Sequence, residues 1–159
     1  MPTGKLRCSM SIPVTLVETD PWPFTVLRCT AHLVRDQGPL APFGLSLRYS
    51  VHDPFAVRVL LEAGTAAVTW TLSRDLLLRS LLGRDGMGDV AAWPVARGLG
   101  ADVVQVRLGP PGGGAVIEIA HDVLSRWLEV TRRLSPVGEE SRHIDWDAVT
   151  RVLLDADTG

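Results

Sequence analysis

From Val26 onward, apolar and polar side chains alternate at a period of two, the repeat of a strand with one buried face. Leu27, Cys29, Ala31 and Leu33 fall on one side and Arg28, Thr30 and His32 on the other, which points Cys29 inward. Phe43, Leu45, Leu47, Tyr49 and Val51 form a second set. The turn residues His52, Asp53 and Pro54 separate it from a third, Phe55, Val57, Val59 and Leu61, so the pair reads as a hairpin. Val68, Trp70 and Leu72, interleaved with Thr69 and Thr71, predict a fourth strand. The period then lengthens: Ser73 caps a short helix over residues 74–82, its hydroxyl accepting from first-turn amides, and Gly83 supplies the stop.

Gly86, Gly88 and Asp89 predict a loop, and residues 90–95 a fifth strand that Pro94 ends. Val104, Val106 and Leu108 alternate with Gln105 and Arg107 in a sixth strand; after the sharp loop 110–114, Ala115, Ile117 and Ile119 make a seventh. Beyond His121 the repeat is helical, with Val123, Leu124, Trp127, Leu128, Thr131 and Leu134 on one face. Residues 136–141 break that helix, and Asp145 caps a last one carrying Val149, Val152 and Leu153. The fold class is α+β: about seven mostly antiparallel strands, one inserted helix and one or two C-terminal helices. No strand–helix–strand alternation argues for a doubly wound nucleotide-binding sheet.

The 159 residues suit one domain, read as residues 25–159, preceded by an N-terminal extension 1–24 that Pro2, Pro13, Pro21 and Pro23 interrupt. With 46% hydrophobic residues the chain has material for a sizeable core, and its net charge of −2 gives no global field toward nucleic acid or anionic membrane. From Ser135 onward six acids meet two arginines, an acidic tail that reads as solvated surface or a partner contact. Cys8 and Cys29 read as free thiols, no uncharged run exceeds 11 residues, and the N-terminus is a poor signal peptide, so a soluble cytoplasmic protein without a transmembrane segment is expected. Fifteen arginines against one lysine point to a GC-rich genome.

The residues carry little catalytic signal. Neither glycine loop, at 86–88 or 112–114, has the lysine and hydroxyl of a phosphate loop, and GxSxG, HExxH and CxxC are absent. His143, Asp145 and Asp147 read as a helix cap beside a surface histidine, and Cys29 as a small buried hydrophobe. No catalytic, metal or cofactor site is expected. Arg28, His32, Arg48, Arg58 and Arg107 all lie on the off-core side of their strands, where they could grip a single-stranded nucleic acid. Aromatic stacking residues are missing from those positions, and a half-exposed sheet needs polar outward residues in any case. Trp70 and Trp127 are in core phase, whereas Trp22 and Trp93 sit beside prolines, leaving Trp93 for a partner.

Four segments in order, LRYSVHDPFAV (47–57), WTLSRDLL (70–77), GMGDVAAWP (86–94) and RHIDWD (142–147), resemble the SsgA-like proteins, sporulation and cell-division regulators of actinobacteria. The resemblance covers roughly residues 26–155 and fits the arginine-rich composition. It implies strands curled into a barrel-like sheet similar to the Whirly-type single-strand binders, assembled as a homotrimer. It further implies a non-enzymatic protein concentrated at the septum, helping to position the tubulin-like GTPase FtsZ directly or through other family members. Residues 1–24 have no counterpart in that resemblance. An alternative remains a single-stranded nucleic-acid binder using Arg28, Arg48, Arg58 and Arg107.

Overall fold

In the computed structural model, residues 21–37 and 40–156 are described. Expectations for residues 1–20, Cys8 included, lie outside them. Eight strands form one antiparallel sheet: β1 (Phe24–Leu33), β2 (Ala41–Ser50), β3 (Ala56–Ala63), β4 (Ala66–Ser73), β5 (Asp85–Met87), β6 (Val90–Val95), β7 (Val103–Leu108) and β8 (Ala115–Ala120). Helix α1 (Arg74–Ser80) interrupts the strands after β4; α2 (His121–Leu134), a single 3-10 turn and α3 (Trp146–Ala156) follow β8. The spatial order is β4-β3-β2-β1-β8-β7-β6-β5, so β1 closes against the last strand and joins two meanders.

The sheet curls into a half-barrel because α1 packs against β4 at one edge and against β5 and β6 at the other. α2 lies across β1, β8 and β7 in the hollow. There its apolar stripe, Val123, Leu124, Trp127 and Leu128, meets Leu27, Leu45, Leu47, Tyr49, Val57, Val106 and Ile119 from the strands. Trp127 is fully buried; a group of that size anchors the core, with truncation to alanine costing about 3–5 kcal/mol.

Period-two patterning predicts seven of the strands and their faces, and the departures are local. β5 is an eighth strand where a loop was expected; it is three residues long and glycine-centred. Gly86 lies opposite Ala91, where an added Cβ would stand 2.7 Å from the Ala91 Cβ, so only glycine permits the pairing. Pro94 sits within β6 rather than ending it, paired with Val104. α1 stops at Ser80, and Gly83 has no positive φ; the chain leaves through a turn at Leu81 and Leu82 in which the Gly83 amide still bonds the Arg79 carbonyl. Phe55 and Val68, in core phase, are exposed because they lie at the end of a turn and on the edge strand. Cys29 points inward and is half-buried.

Candidate functional site

The outward face of the sheet divides into two polar regions. On β1–β3, Arg28 lies opposite Ser46, and Arg48 lies directly opposite Arg58. Like charges directly opposed on one face repel. Among the described residues, the Arg48 guanidinium stacks on the Phe24 ring 4.2 Å from its centroid and Asp53 stands at the rim, and both temper the repulsion. Such stacking contributes roughly 0.5–1 kcal/mol at an exposed site. Arg48, Ser50, His52, Asp53, Ala56 and Arg58 enclose a shallow cleft of about 140 Å³. Trp22 packs beside His52 of this cleft, the two ring centroids 5.8 Å apart. Two arginines thus border one cleft, a donor set suited to a carboxylate or phosphate.

On β6–β8 the polar groups satisfy one another. The Trp93 indole N–H donates to Gln105 Oε1 at 3.0 Å, and Gln105 Nε2 donates to Glu118 Oε1 at 2.9 Å. Arg97 pairs with the same carboxylate, which is only 4% exposed although it lies on the outward side. Arg84 stacks over Trp93, 4.4 Å from the ring centroid. Arg107 is held inside the protein's own loops, donating to the carbonyls of Gly109 and Gly88. His32 faces Glu118 across the β1–β8 seam and lines a second shallow cleft with Arg97.

Of the residues singled out from sequence, the structure therefore gathers Arg28, Arg48 and Arg58 and separates them from Trp93 and Arg107. β3 and β7 are four strand spacings apart, roughly 19 Å along the sheet. Asp145 caps α3, its Oδ1 accepting from the Ala148 amide at 2.9 Å.

Two important residues escape pattern reading. Glu118 is one, a lone acid between Ile117 and Ile119 whose isolation in an apolar strand was its signal. Arg74 is the other: buried, stacked on Tyr49, it donates to the carbonyls of Thr131 at 3.1 Å and Ser135 at 2.7 Å and pairs with Glu140 at 2.7 Å. Burial pushes the Tyr49 phenol above its ordinary value, opposed by the nearby Ser135 hydroxyl and the Arg74 charge.

The order of the four segments can now be set beside known proteins. The family model described as Streptomyces sporulation and cell division protein, SsgA, matches residues 44–140, which run from within β2 to beyond α2 and include Arg74 and Glu140. The chain belongs to the SsgA family. Among its relatives, the sporulation-specific cell division protein SsgB of Salinispora tropica is 40% identical over 83% of this chain and 94% of its own length. SsgB of Streptomyces coelicolor is 37% identical over 77% of this chain and 91% of its own. A solved SsgA-like sporulation-specific cell division protein from Thermobifida fusca superposes with a TM-score of 0.75 at 30% identity, covering 84% of this chain and 97% of that one. A second, from work on SsgB mutations that correlate with longitudinal division during sporulation of Streptomyces coelicolor, gives 0.71 at 32% identity over 77% and 97%. This SsgA-family chain has its role in sporulation-specific cell division. Among the described residues no helix is long and apolar enough to cross a membrane.

Proposed function

We propose that this SsgA-family protein works without catalysis, in the cytoplasm at the sporulation septum, as a homotrimeric adaptor that recruits or positions FtsZ. Arg28, Arg48 and Arg58 make the primary contact, and Trp93 and Arg107 belong to a lesser one on the far half of the sheet. The observation that carries this reading is the Arg48–Arg58 opposition beside Arg28, in a chain whose family acts in sporulation division. Opposed arginines on an outward face are stabilised by an anionic group laid across them, and an acidic segment of a partner protein supplies one. The net charge of −2 favours a local protein contact over a nucleic-acid backbone, which rewards an extended positive field.

The test is fluorescence imaging of the tagged chain in sporulating hyphae. Ladders of foci coincident with FtsZ rings are expected for the wild type. The triple variant Arg28→Glu, Arg48→Glu, Arg58→Glu, at equal abundance, loses them. Diffuse wild-type signal overturns the reading, as does a triple variant that still forms ladders. Nucleoid signal overturns it in favour of single-stranded nucleic acid, and binding that falls steeply with salt would identify that ligand.

A further inference from the structure

Of the eight described strands, β4 alone, with the sequence AAVTWTLS, has neither an ionisable side chain nor a proline. It is also an edge of the sheet. Edges are where proteins ordinarily place charge, proline or a bulge, because an open row of N–H and C=O groups otherwise recruits another strand. The opposite edge obeys that rule: β5 is three residues long and begins with Asp85. β4 instead pairs with β3 over its full eight residues, from Ala56 opposite Ser73 to Ala63 opposite Ala66, without a bulge. Six of those residues are exposed.

The two faces of β4 offer different chemistry. On the inner side Val68 is 53% exposed and Trp70 only partly buried, so apolar surface continues to the rim of the sheet. On the outer side stand Ala67, Thr69 and Thr71, all short and exposed. Arg58 lies opposite Thr71 and Glu62 opposite Ala67, which makes this face basic toward one end of the edge and acidic toward the other. Arg48, opposite Arg58 on β2, adds to the basic end. A strand added to β4 would lie two strand spacings from β3, about 10 Å, a gap that an arginine and a glutamate close between them across a threonine.

We infer that an extended segment of a partner protein adds to β4 as a further strand. Its backbone pairs with the open edge, its inward residues are apolar against Val68 and Trp70, and its outward residue beside Thr71 is acidic and faces Arg58. Main-chain pairing supplies the affinity, and the unequal charge of the two ends fixes where along the edge the acidic residue sits. The inference gives a binding mode to the acidic partner segment proposed above and rests on that reading for the segment's charge.

The experiment follows residue-level hydrogen exchange of the full chain with a capped nine-residue peptide of alternating threonine and valine, its central threonine replaced by glutamate. Methylation of alternate amides keeps the peptide monomeric and leaves it one pairing edge. Slower exchange of the amides on the outer edge of β4 is expected. The same peptide with lysine in place of glutamate should bind about fivefold more weakly. Methylated on every amide, it has no pairing edge and should bind about tenfold more weakly. In Arg58→Glu the preference between glutamate and lysine peptides should reverse, while unchanged exchange in the core strands shows that the variant folds. Unaltered exchange along β4 at about millimolar peptide overturns the proposal. Binding indifferent to methylation, or to Arg58→Glu, also overturns it. So does protection of the outer β4 edge without peptide: if it grows with protein concentration the occupant is a second copy, and if it does not the occupant is another part of the same chain. Where β4 stays unprotected and the triple arginine variant still loses its ladders, strand addition is refuted and the septal reading stands.

Discussion

Arg74 opens α1 at the position where the helix dipole disfavours a cation, and only its partners explain why it stands there. One of them, Glu140, is desolvated, which opposes its ionisation. The amides of Gly138 and of Glu140 itself, together with the Arg74 fork, outweigh that cost and hold its carboxyl below the ordinary 4.5. A carboxylate with a depressed folded-state pKa adds stability above the unfolded value and loses it as pH falls through the folded one. Urea denaturation across a pH series should therefore show the wild type losing stability below about pH 4.5 more steeply than Glu140→Gln, which is the less stable protein at neutral pH. Parallel curves would remove Glu140 from the acid response. At this scale the outward phase of Arg28, Arg48 and Arg58 was legible in the alternation alone. The burial of Glu118 was not, because its partners Arg97 and Gln105 come from other parts of the chain.

Elements built on local rules were the most readable. Ser73 was expected to cap α1 and does, accepting from the Leu76 amide at 3.2 Å. Ser73→Ala leaves that amide without its acceptor and should lower stability by about 0.5–2 kcal/mol in urea denaturation. Ser73→Asn should retain most of it, and equal loss in both would remove the capping account. α2 was equally plain, since its five buried residues repeat at the helical period. β5 was missed because a three-residue, glycine-centred segment carries no alternation. Its strand character comes from pairing with β6, so it is legible only once β6 is in place. α3 is a mixed case: its cap and apolar positions were read from the sequence, while the exposure of Val152 and Leu153 was not.

At the scale of the molecule, Arg74 is the tie between layers. It lies on α1, stacks on Tyr49 of β2, grips the C-terminal end of α2 and holds the segment leading to α3. Replacing it with alanine leaves two buried carbonyls and the Glu140 carboxylate without their donor, and a loss of about 3–5 kcal/mol is expected from calorimetry or denaturation. Arg74→Lys, a point charge without the fork, should recover only part of it. A loss below about 1 kcal/mol for the alanine variant would mean that the buried network is structurally idle. The same scale separates the two halves of the proposed contact. Every strand of the two meanders except β5 announces itself, yet which strand closes the sheet depends on β1 meeting β8 over a separation of more than 80 residues. The sequence by itself determined the strand faces, the helix caps and the outward arginines, because periodicity and capping act over a few residues. Only the tertiary structure decided that Arg48 confronts Arg58, that Trp93 and Arg107 stand apart from them, and that Arg74 is buried. Those outcomes depend on register and strand order, which form when distant segments compete for the same core.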